Sequence, residues 1–182
     1  VDAGEMELNS ITLAGRPSLV ESNGYRFLIF DAPKEENLPQ YLLECKKQNV
    51  SHLVRVCQQT YPSSQVESAG ISMHEMEYAD GTNPPDDIIE KWLDVVEDCF
   101  GPKPASAAAS DGAAPCLGVH CVAGLGRAPV LVAIALVEFT GMDPVEAVAM
   151  IRKQRRGAIN SKQLFWLERY RPSRGGTGCS NA

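Results

Sequence analysis

The run Val119-His120-Cys121-Val122-Ala123-Gly124-Leu125-Gly126-Arg127-Ala128-Pro129 constrains the fold of this chain more than any other stretch. Before it, Cys116-Leu117-Gly118-Val119 has the apolar character of a short buried strand. After it, Pro129-Val130-Leu131-Val132-Ala133-Ile134-Ala135-Leu136-Val137 reads as a buried helix with Pro near its first helical position. A strand, a tight glycine-bearing loop and a helix N-terminus together form an anion site, because unpaired backbone N–H groups converge there and the helix dipole favours negative charge. Arg127 adds a fork of donors suited to two oxygens of one phosphate. The same field favours a thiolate, the reactive form of a cysteine such as Cys121. A nucleophile in a phosphate cradle implies phosphoryl transfer through a phosphocysteine. The cradle is then Val122, Ala123, Gly124, Leu125, Gly126 and Arg127.

Other phosphate loops do not fit. A Walker loop needs Lys after its last glycine, and here Arg127 follows Gly126. A dinucleotide fingerprint starting at Gly124 would need a glycine where Pro129 stands. A rhodanese-like loop shares the Cys–Arg spacing, but Gly124 and Gly126 followed by Ala-Pro disfavour it.

Strands and helices alternate along the rest of the chain. Ser18–Glu21 and Tyr25–Phe30 suggest a hairpin around Ser22-Asn23-Gly24. An amphipathic helix is expected over Asn37–Gln48, a strand over His52–Val56 ending at Cys57, and another over Gly70–Met76. Glu77–Pro85 is expected to be a loop. Ile88, Ile89, Trp92, Val95 and Val96 repeat at helical spacing within Asp86–Phe100. Asp143 and Ser161 are expected to cap helices ending near Lys153 and Tyr170. The pattern predicts an α/β fold with a central, mostly parallel sheet flanked by helices. Ligands of such sheets bind at the carboxyl ends of strands, where Cys57 and Cys121 both fall. Domain organisation follows: a poorly ordered arm over 1–16, one domain over 17–172 with a flexible Ala/Ser/Pro/Gly-rich insertion at 101–115, and a tail over 173–182.

Composition narrows the function. No Cys or His cluster has metal-ligand spacing, so metal-dependent hydrolysis is disfavoured, and no cofactor motif is present. Six unevenly spaced cysteines point to a reducing, cytoplasmic setting. Net charge is −6, yet eight basic residues from Arg152 to Arg174 face Glu168 alone within 150–182. An acidic body with a basic end does not suit nucleic acid; it suits an anionic membrane surface or simply a solvated helical face. The last four residues, Cys179-Ser180-Asn181-Ala182, form a formal prenylation box whose final Ala permits a farnesyl group, although Ser180 and Asn181 are not aliphatic. Lipidation at Cys179 would place the protein on the cytoplasmic face of plasma or endosomal membranes.

The run from His120 to Val132, with Leu53-Val54-Arg55-Val56-Cys57 upstream and Arg155-Arg156-Gly157-Ala158-Ile159-Asn160-Ser161-Lys162-Gln163-Leu164 downstream, resembles the phosphatases of regenerating liver, the prenylated type IVA branch of the dual-specificity cysteine phosphatases. The resemblance implies hydrolysis of phosphoprotein or other phosphoester substrates with slow turnover. It implies Asp80 as the acid that protonates the leaving oxygen. The family usually has Trp-Pro where Met76 and Glu77 stand here, and a second Asp in place of Ala79, so Glu77, Asp86 and Asp87 stay as alternatives. Ala128 occupies the place where most cysteine phosphatases carry Ser or Thr, whose hydroxyl helps the thiolate leave. The resemblance further implies a reversible disulfide between Cys57 and Cys121. It also implies an alternative function, a phosphate-switched binding protein regulating a cyclin-M-type magnesium transporter. Self-association is left open.

Overall fold

The computed structural model describes residues 15–102, 104 and 114–174. Its centre is a five-stranded sheet in the order β1-β2-β5-β3-β4. The strands are β1 (Ser18–Ser22), β2 (Tyr25–Phe30), β3 (Val50–Arg55), β4 (Ser72–Glu75) and β5 (Cys116–His120). β1 and β2 pair antiparallel through the expected hairpin, and Asn23 and Gly24 take the positive φ its turn requires. Every other pairing is parallel, so the mostly parallel sheet expected from the sequence is present.

Among the described residues six helices cover the sheet: α1 (Leu38–Lys47), α2 (Ser63–Ser68), α3 (Asp86–Phe100), α4 (Arg127–Thr140), α5 (Pro144–Gln154) and α6 (Ser161–Arg169). One apolar cluster joins one sheet face to α1 and α2 through Leu28, Phe30, Leu38, Tyr41, Leu53 and Val66. The larger cluster joins the opposite face to the remaining helices through Phe27, Ile29, Trp92, Leu131, Ile134 and Leu167. Each large side chain fully withdrawn from water there contributes ~1.5–3 kcal/mol. α4 has no polar face because it is the innermost helix; all its residues from Arg127 to Glu138 are buried. This buried axis starts at the end of the Cys121 loop, so the loop is attached directly to a fully packed helix.

Three sequence expectations change. Ser63–Ser68 forms a short helix that the sequence reading did not include; it contributes Val66 to the core and is too short for a periodic signal. α4 begins at Arg127, two residues before Pro129, so the Arg itself lies in the first turn. The cap of α6 is Asn160 and not Ser161: the Asn160 side chain accepts from Gln163 N while Gln163 Oε1 accepts from Asn160 N. Such a box satisfies two helix-end donors reciprocally, which one Ser hydroxyl cannot do. Asp143 caps α5 as expected, accepting from Val145 N at 2.9 Å. Most of the 1–16 arm, most of the 101–115 insertion and most of the tail, Cys179 included, lie outside the described residues.

Candidate active site

β5, the middle strand, ends at His120, and Cys121 follows at its carboxyl edge. Cys121 is only 2% exposed and lies in a cavity of about 230 Å³. Ala123, Leu125, Gly126 and Arg127 line the same cavity from the loop, Asp80 from the segment after β4, and Gln163 from α6. Val122 instead faces an adjoining recess, and Gly124 turns the chain. Gly124 is needed for two reasons: its φ is +70°, and a Cβ there would lie 2.6 Å from the Phe30 carbonyl oxygen.

The loop is braced from outside. Arg155 is buried, donating through Nε to Gly124 O at 2.6 Å and through Nη2 to Ala123 O at 3.2 Å. Its Nη1 reaches Arg16 O and Ser18 Oγ, tying the loop to β1. Burial draws the pKa of Arg155 down, and the charges of Asp31 and Cys121 oppose that shift. Ile159 N donates to Leu125 O at 2.7 Å, and Ala32 N to Val122 O at 2.9 Å. The sequence reading placed Arg155 in a basic surface cluster. The structure removes it from that surface, and the neighbouring Arg152 spends its guanidinium on Ala158 O and Ile159 O. Arg174 pairs with Glu90 and Asp94, which further shortens the basic patch expected of the C-terminal region.

Arg127 is oriented by two strands. Its Nη1 donates to Val56 O at 3.2 Å and Tyr78 O at 3.1 Å, just past the ends of β3 and β4. Its Nε is buried with no hydrogen-bond partner among the described residues, leaving that edge of the fork for an anion. Asp80 Oδ1 lies 3.6 Å from the same Nε, an ion-pair distance too long for a hydrogen bond. Asp80 is otherwise exposed and accepts from Gly81 N. Of the candidate acids, only Asp80 borders the Cys121 cavity: Glu77 faces the recess beside it, and Asp86 and Asp87 open α3.

Behind the loop, His120 is fully buried. Its Nδ1 lies 3.2 Å from Cys121 O, which can only accept, so Nδ1 carries the proton and Nε2 accepts from the Tyr61 hydroxyl. Burial pushes the His120 pKa down to about 4, so the ring is a neutral brace rather than an acid or base. Cys57 Sγ sits 3.8 Å from the same Nδ1. Burial raises the Cys57 pKa to about 11 against the pull of Arg127, while the charge of Cys121 raises it further. The His120 ring thus touches both residues, Cys57 through its sulfur and Cys121 through its backbone carbonyl, and both are free thiols.

The sequence reading missed Gln163 as a site residue. It is 2% exposed, and its Nε2 has no partner among the described residues although it borders the cavity. The spacing Asn160-x-x-Gln163 is a capping-box signal that fixes this side chain at the helix start. Tyr61 and Tyr78 were missed as well, and nothing local in the sequence marks them.

A protein-tyrosine phosphatase family model matches residues 36–168. The type IVA protein tyrosine phosphatase A of Dictyostelium discoideum is 49% identical over 154 residues, covering 85% of this chain and 87% of that protein. The chain belongs to the type IVA protein tyrosine phosphatases. Type IVA phosphatase 2 of Mus musculus is 46% identical, covering 86% of this chain and 89% of its own length. A solved protein tyrosine phosphatase from Leishmania major, 38% identical, superposes with a TM-score of 0.72 over 86% of this chain and 99% of that one. Like other members of the type IVA branch, this is a cysteine-dependent protein tyrosine phosphatase, and its substrate is a phosphoprotein or phosphoester. Among the described residues no group of three or more His, Cys, Asp or Glu side chains could hold a metal, and no helix is long and apolar enough to cross a membrane.

Proposed function

We propose that this type IVA phosphatase works through Cys121 as nucleophile, Arg127 as phosphate clamp and Asp80 as general acid. The observation that carries this is one small cavity in which Cys121, the Nε edge of Arg127 and the Asp80 carboxyl meet at a helix N-terminus. Phosphate oxygens take the place now facing Arg127 Nε, with backbone N–H groups of the loop around them. The Cys121 sulfur attacks phosphorus as the ester oxygen leaves, and Asp80 gives that oxygen a proton. Water then attacks the phosphocysteine, with Asp80 as its base and the unspent Gln163 amide as a donor that positions it.

Ala128 offers no hydroxyl to the departing sulfur, so this second step is slow. A long-lived phosphocysteine is the specific feature that supports a second use, as a switch on partner binding of the cyclin-M transporter kind. Two further parts of the proposal rest on chemistry rather than catalysis. Cys57, a thiol at rest, attacks the sulfenic acid that a peroxide forms at Cys121, releasing water and closing a reversible disulfide. Cys179 accepts a prenyl group and, with the basic residues still facing water, holds the enzyme on the cytoplasmic face of an anionic membrane.

Intact mass after exposure to an aryl phosphate, together with steady-state hydrolysis, tests the catalytic assignment. The native enzyme is expected to gain one phosphoryl group on Cys121. Cys121→Ser is expected to lose both the adduct and turnover, and Arg127→Lys turnover, since a point charge cannot grip two oxygens. Activity retained in Cys121→Ser overturns the assignment.

A further inference from the structure

A recess of about 650 Å³ opens beside the cradle and shares Asp80 and Arg127 with it. Its other walls include Gln58 and Thr60, Glu77 after β4, and Val122, a residue 59% exposed. Thr60 is fixed in place, its hydroxyl donating to Pro33 O at 2.6 Å. Glu77 is exposed and has no ion-pair partner among the described residues. It also stands where the family resemblance would put a proline, so this carboxylate is a feature of this chain.

With a phosphate bound, the charge of Arg127 is answered by that phosphate, and Asp80 must carry its proton to act as the acid. Glu77 is then the one uncompensated charge on the recess, because Gln58, Thr60 and Val122 are neutral. We infer that Glu77 sets a sequence preference, selecting phosphotyrosyl segments with Lys or Arg beside the phosphotyrosine. The exposed Val122 side chain gives the methylene stem of such a residue an apolar seat while its charged end meets Glu77. A polyphosphorylated lipid headgroup would set further negative charge against Glu77, which favours a peptide as the occupant. The inference rests on Cys121 receiving the phosphate.

The test uses phosphotyrosyl peptides alike except for Lys, Gln or Glu at the residues flanking the phosphotyrosine. Each kcat/KM is divided by the same variant's value on an aryl phosphate, which has no flanking residue. The native enzyme is expected to prefer the Lys peptide over the Glu peptide by about tenfold at low salt, and less as salt screens the pair. Glu77→Gln is expected to bring the ratio within about twofold of parity, and Glu77→Lys to reverse it. A native ratio near one, a preference that survives Glu77→Lys, or faster turnover of a polyphosphorylated headgroup than of the Lys peptide overturns the inference. Failure of the underlying catalytic reading would show separately, as aryl phosphate hydrolysis that survives Cys121→Ser.

Discussion

Replacing Arg155 with Met keeps a long side chain of similar reach but removes every donor that braces the cradle from outside. The Nε and Nη2 bonds to Gly124 O and Ala123 O are lost, as are those of Nη1 to Arg16 O and Ser18 Oγ. A hydrogen bond from a charged group contributes ~1.5–3 kcal/mol. The two loop bonds alone therefore correspond to at least ~3 kcal/mol of loop order, a factor of about 10² in the population of the formed cradle. Loss of the two bonds to Arg16 O and to Ser18 Oγ of β1 lowers global stability by a similar ~3 kcal/mol, since Ser18 is itself buried. Two measurements separate these effects. Urea denaturation is expected to show a lower midpoint at unchanged slope. Competitive inhibition by inorganic phosphate, measured well below the unfolding transition, is expected to weaken by up to ~10². Arg155→Lys should recover part of the stability but little phosphate affinity, because one ammonium cannot reach both loop carbonyls and β1. Unchanged phosphate affinity in Arg155→Met would make Arg155 a clamp on the hairpin alone and refute its role in the cradle.

Ala128→Ser is expected to shorten the lifetime of the phosphocysteine and raise saturated turnover by up to ~10²; since Ala128 is fully buried, a fall in thermal stability of about 1–3 kcal/mol should accompany the extra atom. An unchanged lifetime in rapid-quench measurements would mean another step limits turnover. Mild peroxide is expected to join Cys57 to Cys121, and Cys57→Ser to leave inactivation that thiol reductants no longer reverse; peptide mapping that pairs Cys121 with Cys116, or with nothing, removes Cys57 from the site.

The fold was legible where the sequence pattern has a single physical reading. The apolar run of α4 fits only a buried helix, and the Asn-Gly turn with apolar strands on both sides fits only a hairpin. Ser63–Ser68 was not legible, because a six-residue helix shows too little of a 3.6-residue period. For the site, Cys121 and Arg127 were readable because one loop carries both. Asp80 needed the family resemblance, since nothing in Ala79-Asp80-Gly81 distinguishes an acid from a turn residue. Arg155 was misread as a surface charge because sequence gives its neighbours along α5 and not the carbonyls across the sheet edge. Gln163 was hidden for the opposite reason: its spacing from Asn160 was visible, but only the capping box shows that satisfying the helix end leaves Nε2 pointing at the cavity.

The contacts around Arg127 also bear on how the acid segment and the cradle move together. Tyr78 accepts from Arg127 Nη1 through its own carbonyl, while its hydroxyl donates to Arg127 O at 2.9 Å. The two residues are thus joined twice, and Tyr78 is buried among the core side chains. Asp80, two residues on, is by contrast exposed and held only by its turn and a long ion pair. The segment after β4 is therefore held twice at Tyr78 and only by a turn and a long ion pair at Asp80, and an anion at Arg127 Nε would compete with that ion pair and not with the Tyr78 anchor. If Asp80 is the acid proposed above, phosphate entry would release it for proton transfer while β4 keeps its pairing with β3. The departures from the family pattern at Met76, Glu77 and Ala79 move a carboxylate from position 79 to position 77 and leave both links of Tyr78 to Arg127 in place.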